Sequence, residues 1–191
     1  LGLFTFALRH RPDGLKTLLP LMGAIFSFFY VVLCFNFVTR ILFFFEGSEE
    51  TAGNGAYFVL FLVAATKFTD MGAYLLGSMI GKHKMIPHIS PGKTWQGLVG
   101  GFLGAIGGAF LIRGLCSERL AALGWGHALV LAVILGAAAV VGDLAESILK
   151  RSLEVKDSGA MLPGIGGALD LIDSLCFTAP LLYLYLVLFA V

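Results

Sequence analysis

Charge is scarce in this chain. Only 13% of its 191 residues are Asp, Glu, Lys or Arg, against about 25% in a soluble globular domain, and that shortage excludes an ordinary water-soluble fold. Cysteine is equally sparse. Cys34, Cys116 and Cys176 stand far apart, in or near apolar runs, which excludes a zinc-ligand spacing and a disulfide framework and leaves them as small buried hydrophobes. The net charge of +1 gives no footing for nucleic acid. No internal repeat stands out, and no cleavable signal peptide is visible. The chain starts at Leu1 rather than at a methionine and is expected to be a fragment with further membrane helices upstream.

What the chain does have is apolar length. Hydrophobic residues make up 58% of it and the mean hydropathy is +0.92. The excess is gathered in five runs, at about residues 20–45, 55–78, 95–112, 127–149 and 169–191. Each approaches or exceeds the ~20 residues that a helix needs to cross a bilayer. The expected fold is all-α, a polytopic transmembrane bundle of about five spanning helices. Glycine is abundant at 25 residues, which in a membrane protein points to close helix packing. Gly97 and Gly101, and Gly104 and Gly108, are spaced for such packing. A groove lined by bare backbone is the other reading of the same stretch.

The loops set an orientation. Arg9, Arg11 and Lys16 precede the first run, Lys82, Lys84 and Lys93 lie between the second and third, and Lys150, Arg151 and Lys156 between the fourth and fifth. The alternate loops hold only two basic residues, Arg113 and Arg119, and the first of these loops is acidic through Glu46, Glu49 and Glu50. The positive-inside rule then places the basic loops in the cytoplasm, in the inner membrane if the source is bacterial.

Ionisable residues near the spans need a partner or a purpose, because each costs at least ~2.5–3.5 kcal/mol on insertion scales. Lys67 and Asp70 share a helical face, as an intrahelical ion pair or as one wall of a polar cavity continued by Tyr74. Ser90, Lys93 and Thr94 lie just before a helix, where free amides and a lysine suit a phosphate, although capping and positive-inside charge explain them as well. The glycine spacing there is not that of a Walker A loop. His83 and His88 read as interfacial loop residues. Asp143, Glu146 and Lys150 recur at i, i+3 and i+7 on one face, and Asp170 and Asp173 open the last run. Paired carboxylates of this kind suit Mg²⁺, which takes one or two of them and leaves the rest to water and substrate phosphate. Capping and helix-end solvation are the plainer readings.

From Ser147 to Asp173 the chain resembles the phosphatidate cytidylyltransferase (CDP-diacylglycerol synthase) family. The resemblance rests on Ser147, Lys150, Arg151, Lys156, Asp157, Gly159, Leu162, Pro163, Gly166, Gly167, Asp170 and Asp173, spaced without a gap. Asp70-Met-Gly-Ala-Tyr74, Ile89-Ser-Pro-Gly-Lys-Thr-Trp95 and Gly142-Asp-Leu-Ala-Glu-Ser147 are similar to further segments of that family. The resemblance implies a cytidylyltransferase-like membrane catalytic domain over residues 55–191, behind an N-terminal loop and Phe-rich helix over residues 1–54. It implies the reaction of CTP with phosphatidic acid to give CDP-diacylglycerol and pyrophosphate, with Mg²⁺ and a second, monovalent cation. Asp143, Glu146, Asp170 and Asp173 are then the metal candidates, and Lys150, Arg151, Lys156 and Asp157 join Asp143 and Asp170 as catalytic candidates. Asp70, Ser90, Lys93, Thr94, Ser147, Gly166 and Gly167 are the substrate-binding candidates. It also implies a homodimer embedded in the bilayer. Two other readings stand beside it: a related CTP-dependent membrane lipid enzyme (an ether-lipid cytidylyltransferase or a lipid kinase), and an ion-coupled transporter.

The chain departs from the family pattern at Ile165 (His expected), Leu171 (Arg expected) and Gln96 (Glu expected). A lost guanidinium at Leu171 removes a bidentate anion partner. Leu171→Arg is therefore expected to change the apparent KM for CTP or for the lipid; superimposable saturation curves for both substrates would count against that role.

Overall fold

The computed structural model describes residues 14–47, 53–152 and 168–189. Among these residues, five helices and one small hairpin follow in chain order: α1 (Leu15–Leu42), α2 (Asn54–Ile80), β1 (Lys84–Ile86), β2 (Ser90–Thr94), α3 (Trp95–Leu115), α4 (Trp125–Ser152) and α5 (Ala168–Phe189). α1 to α4 are each long and apolar enough to cross a membrane. α5 has 22 residues and is strongly apolar beyond Asp173. The expected all-α bundle is thus present, and the protein is an integral membrane protein.

The sequence reading missed the hairpin. Its strands pair antiparallel, with Lys84 opposite Thr94 and Ile86 opposite Ser90 and an irregularity between them. The Ile89 amide donates to the Ile86 carbonyl at 3.2 Å and closes the turn. Strands reading Lys-Met-Ile and Ser-Pro-Gly-Lys-Thr carry no apolar alternation, and their Pro and Gly argue against a strand from sequence.

α2 and α3 make the most extensive contact in the bundle, along a seam of small residues. A Cβ at Gly104 would collide with the Phe68 carbonyl oxygen, and one at Gly100 with that of Gly72. The two backbones therefore touch, which van der Waals packing between membrane helices rewards. The glycine-rich stretch serves helix packing as expected. At its hairpin end Gly97 also faces a cavity.

The buried core is built from Phe58, Phe61 and Leu62 of α2, Leu131 and Leu135 of α4, and Leu182 and Leu186 of α5. A polar thread runs through it. The Thr66 hydroxyl donates to Thr178 Oγ1 at 3.2 Å, joining α2 to α5, and Thr178 in turn reaches the Ser174 carbonyl at 3.1 Å. α1 lies outermost, packed on α5 through Tyr30–Phe177 and Phe37–Tyr183 ring contacts. Its remaining surface, including Leu18, Met22, Phe26, Phe29 and Leu33, is exposed and apolar, as a lipid-facing helix requires. Cys34 on α1 and Cys176 on α5, far apart in sequence, come close together across this contact.

The seam predicts an asymmetry between two glycines of α3. Gly104→Ala forces overpacking of the kind that costs about 1–3 kcal/mol. Gly107, with nothing within 4 Å of a built Cβ, tolerates alanine. Thermal unfolding in detergent should show a lowered Tm for the first variant and not for the second.

Candidate active site

The end of α4, the start of α5 and the hairpin meet at one end of the bundle. Gly142 lets them do so. A Cβ there would lie 3.0 Å from the Phe177 ring, 3.1 Å from the Ser174 Cα and 3.3 Å from the Asp173 carbonyl oxygen, so α5 comes this close to α4 only because Gly142 has no side chain. The approach sets Asp173 beside the Asp143–Glu146 face. One carboxylate oxygen from each of Asp143, Glu146 and Asp173 lies within 4.8 Å of those of the other two. Asp173 is held by its neighbour: the Ser174 backbone N–H and hydroxyl both donate to its Oδ1, the hydroxyl at 3.2 Å. Glu146 and Asp173 are buried, each 5% exposed.

Three carboxylates this close repel one another, and two lysines answer them. Lys150 Nζ is 3.1 Å from Glu146 Oε2, one turn along α4. Lys93 Nζ, delivered from β2, is 2.8 Å from Asp143 Oδ2. The Asp143 side chain is 41% exposed, which makes it the member of the trio that faces outward, into the cavity described next.

That cavity, of about 450 Å³, lies between α2, the hairpin, the start of α3 and the part of α4 that carries Val140 and Asp143. Asp70, Tyr74, Ser90, Lys93, Thr94 and Asp143 are among the residues that line it. The Asp70–Tyr74 wall expected from sequence is present, and so is the Lys67–Asp70 ion pair, at 3.9 Å. Thr94 also caps α3, its hydroxyl oxygen accepting from the Gly97 amide at 3.0 Å. The hydroxyl hydrogen is left to donate, so capping and a binding role are compatible.

The hairpin is fixed from two sides. The His83 amide donates to Gln96 Oε1 at 3.3 Å, and Gln96 Nε2 lies 2.8 Å from His83 Nδ1. Gln96 is one of the departures noted above. Its amide offers an acceptor and a donor together, whereas a carboxylate could accept from the His83 amide but could not donate to an imidazole nitrogen. On the other side, Arg151 Nε donates to the Ile89 carbonyl at 3.4 Å. Of the two basic segments expected to share one side, the hairpin and the α4 end with Lys150 and Arg151 meet here, while residues 153–167 lie outside the described residues.

Of the residues expected at a site, the structure brings Asp143, Glu146 and Asp173 together as one cluster, and Asp70, Ser90, Lys93, Thr94 and Asp143 together around one cavity. Lys150 and Arg151 sit on the rim, against Glu146 and the hairpin respectively. Ser147 is half-buried on α4 and lines neither cluster nor cavity. Asp170 lies in the first turn of α5, with its side chain outside the described residues. Lys156, Asp157, Gly166 and Gly167 lie outside the described residues altogether. Ser174 and Gln96 were not foreseen as parts of the site. Ser174 adjoins a candidate carboxylate, and a hydroxyl next to an Asp at a helix start was the available signal.

A protein-family model described as the cytidylyltransferase family matches residues 3–189. The phosphatidate cytidylyltransferase of Brucella suis is 45% identical over 132 residues, which cover 69% of this chain and 47% of that protein. That of Staphylococcus saprophyticus is 38% identical over 162 residues, covering 85% of this chain and 61% of that protein. A protein of Escherichia coli named uncharacterized protein YnbB is 42% identical over 132 residues, 69% of this chain and 43% of its own length. The chain thus spans about half the length of the Brucella relative it matches.

Thr94 gives a test of this geometry that needs no substrate. Thr94→Val removes the cap and should cost about 1 kcal/mol of stability, while Thr94→Ser keeps most of it. Equal unfolding midpoints for the two variants would refute the capping geometry.

Proposed function

The chain belongs to the cytidylyltransferase family, and from that premise we propose that it carries the catalytic part of an integral membrane enzyme that transfers a cytidylyl group from CTP to phosphatidic acid. The observation that carries this reading is the carboxylate trio beside a polar cavity, with Asp143 common to both. The names of the Brucella and Staphylococcus relatives support the substrates.

The donor set fits a hard divalent cation. Three carboxylates within 4.8 Å offer oxygen ligands alone, the chemistry that suits Mg²⁺ rather than a thiolate-loving metal. Asp143, Glu146 and Asp173 would hold it, with Asp170 a further candidate. Bound there, Mg²⁺ would draw charge from the phosphates during displacement. A second, monovalent cation belongs to the same proposal.

The chain's own residues do the rest. Lys93, Ser90 and the Thr94 hydroxyl present a cation and donors to a phosphate in the cavity, next to the N-terminus of α3. Lys150 and Arg151 add positive charge at the rim, and Lys156 with Asp157 and the glycines Gly166 and Gly167 would complete it. A phosphate oxygen of the lipid forms a bond to the α-phosphorus of CTP, the α–β bridging P–O bond breaks, and pyrophosphate leaves with that electron pair. The attacking phosphate is already ionised at neutral pH, so no general base is required. The membrane holds the acceptor in place, and the basic loops put this end of the bundle at the cytoplasmic face, where CTP is found.

Incubation of the purified protein with labelled CTP, phosphatidate and Mg²⁺ should yield CDP-lipid and pyrophosphate. Asp143→Asn should lower kcat by about a hundredfold or more, and chelation of the divalent ion should abolish turnover. A folded protein that makes no CDP-lipid, with Asp143→Asn indistinguishable from it, would overturn the reading. Turnover only with an ether-linked acceptor would redirect it to that lipid class.

A further inference from the structure

Lys93 belongs to two places at once. It lines the cavity with Ser90 and Thr94, and its ammonium stands 2.8 Å from Asp143 Oδ2. Asp143 is shared in the same way, between the cavity and the carboxylate trio. A divalent cation on the trio and the Lys93 ammonium would therefore draw on one carboxylate. Mg²⁺–oxygen bonds are about 2.0–2.1 Å long, so an ion bound through that oxygen would stand roughly 3–5 Å from Nζ. Like charges at such a distance, away from bulk water, repel strongly.

The backbone around Lys93 is fixed while its side chain can turn. Gln96 ties the hairpin to α3 through His83, Arg151 ties it to α4, and Thr94 is locked as a cap. The unbranched four-carbon stem of a lysine can swing its ammonium from Asp143 into the cavity without moving that frame. Lys150, paired with Glu146 in a similar way, is not among the residues lining the cavity, so the same exchange is not open to it.

From this geometry we infer that Lys93 is an exchangeable counter-ion: it neutralises Asp143 until a divalent cation claims that carboxylate, and the displaced ammonium then engages the phosphate in the cavity. The inference rests on the nucleotidyl-transfer reading above. Its consequence is positive coupling. A metal ion alone must displace Lys93, and a phosphate alone must take Lys93 from Asp143, so each ligand removes an obstacle to the other.

The test is binding of Mn²⁺ alone to the purified chain in nanodiscs, read by electron paramagnetic resonance. Lys93→Gln removes the competing cation and should tighten Mn²⁺ binding by about tenfold. Lys93→Arg keeps the charge and should stay within about twofold of the unsubstituted protein. Amine acylation followed by mass spectrometry gives a second readout. Labelling of Lys93 should rise severalfold when Mn²⁺ is added, with Lys84 as the internal reference, and should be high without Mn²⁺ in Asp143→Asn. If Lys93→Gln binds Mn²⁺ no more tightly than the parent while Asp143→Asn loses it, the exchange is wrong and the metal site stands. If neither the parent nor Lys93→Gln binds Mn²⁺, the metal-site reading fails and the exchange falls with it. Should Lys93→Gln not fold, the labelling decides, and unchanged Lys93 reactivity on adding Mn²⁺ overturns the exchange.

Discussion

Three carboxylates held within 4.8 Å at the ends of membrane helices are the constraint on which the rest of the structure depends. A pair of like charges about 4 Å apart repels by on the order of 4 kcal/mol at the effective dielectric of a protein surface, and Glu146 and Asp173 are buried besides. Such a cluster is tolerable only with cations built in around it. Lys150 answers from the same helix, while Lys93 must come from elsewhere in the chain. The hairpin brings it, and the hairpin in turn needs its ties to α3 and α4. Gly142 admits α5, and Ser174 holds the Asp173 carboxylate in one orientation.

Elements governed by local rules were legible in the sequence. The apolar runs gave the helices to within a few residues, because about 20 apolar residues in a row have few other uses. The Asp143–Glu146–Lys150 face followed from helical spacing, and the Glu146–Lys150 pair is its direct expression. Thr94 was readable as a residue before a helix, and it does cap α3. Contacts between distant segments were not legible. Nothing local says that Lys93 reaches Asp143 or that Cys34 meets Cys176, and Asp173 was grouped with Asp143 and Glu146 without sight of Gly142, which lets the helices close. The hairpin escaped because its strands are short and polar. Asp170, Lys156, Asp157, Gly166 and Gly167 still rest on the family resemblance.

One departure from the family pattern has a local account. Gln96 both accepts from and faces a nitrogen of His83, a two-way match that an amide makes and a carboxylate cannot make with an acceptor nitrogen. The substitution thus coincides with a histidine able to use it, and its effect falls on how the hairpin is mounted rather than on the carboxylates. Ile165 and the Leu171 side chain lie outside the described residues.

The seam between α2 and α3 also bears on how the protein is made. It joins two helices adjacent in the chain, and its contacts are backbone to backbone, so the pair can close as soon as both have left the ribosome and entered the bilayer. The hairpin between them, with Lys93, can then take up its tie to α3 through Gln96, before its tie to α4 exists. The acidic end of α4 is synthesised later, and it arrives beside a positive charge set in place before it. Chain order thereby brings Lys93 within reach of Asp143 before α5 arrives, and the glycines that look like mere packing are what let α2 and α3 close that early.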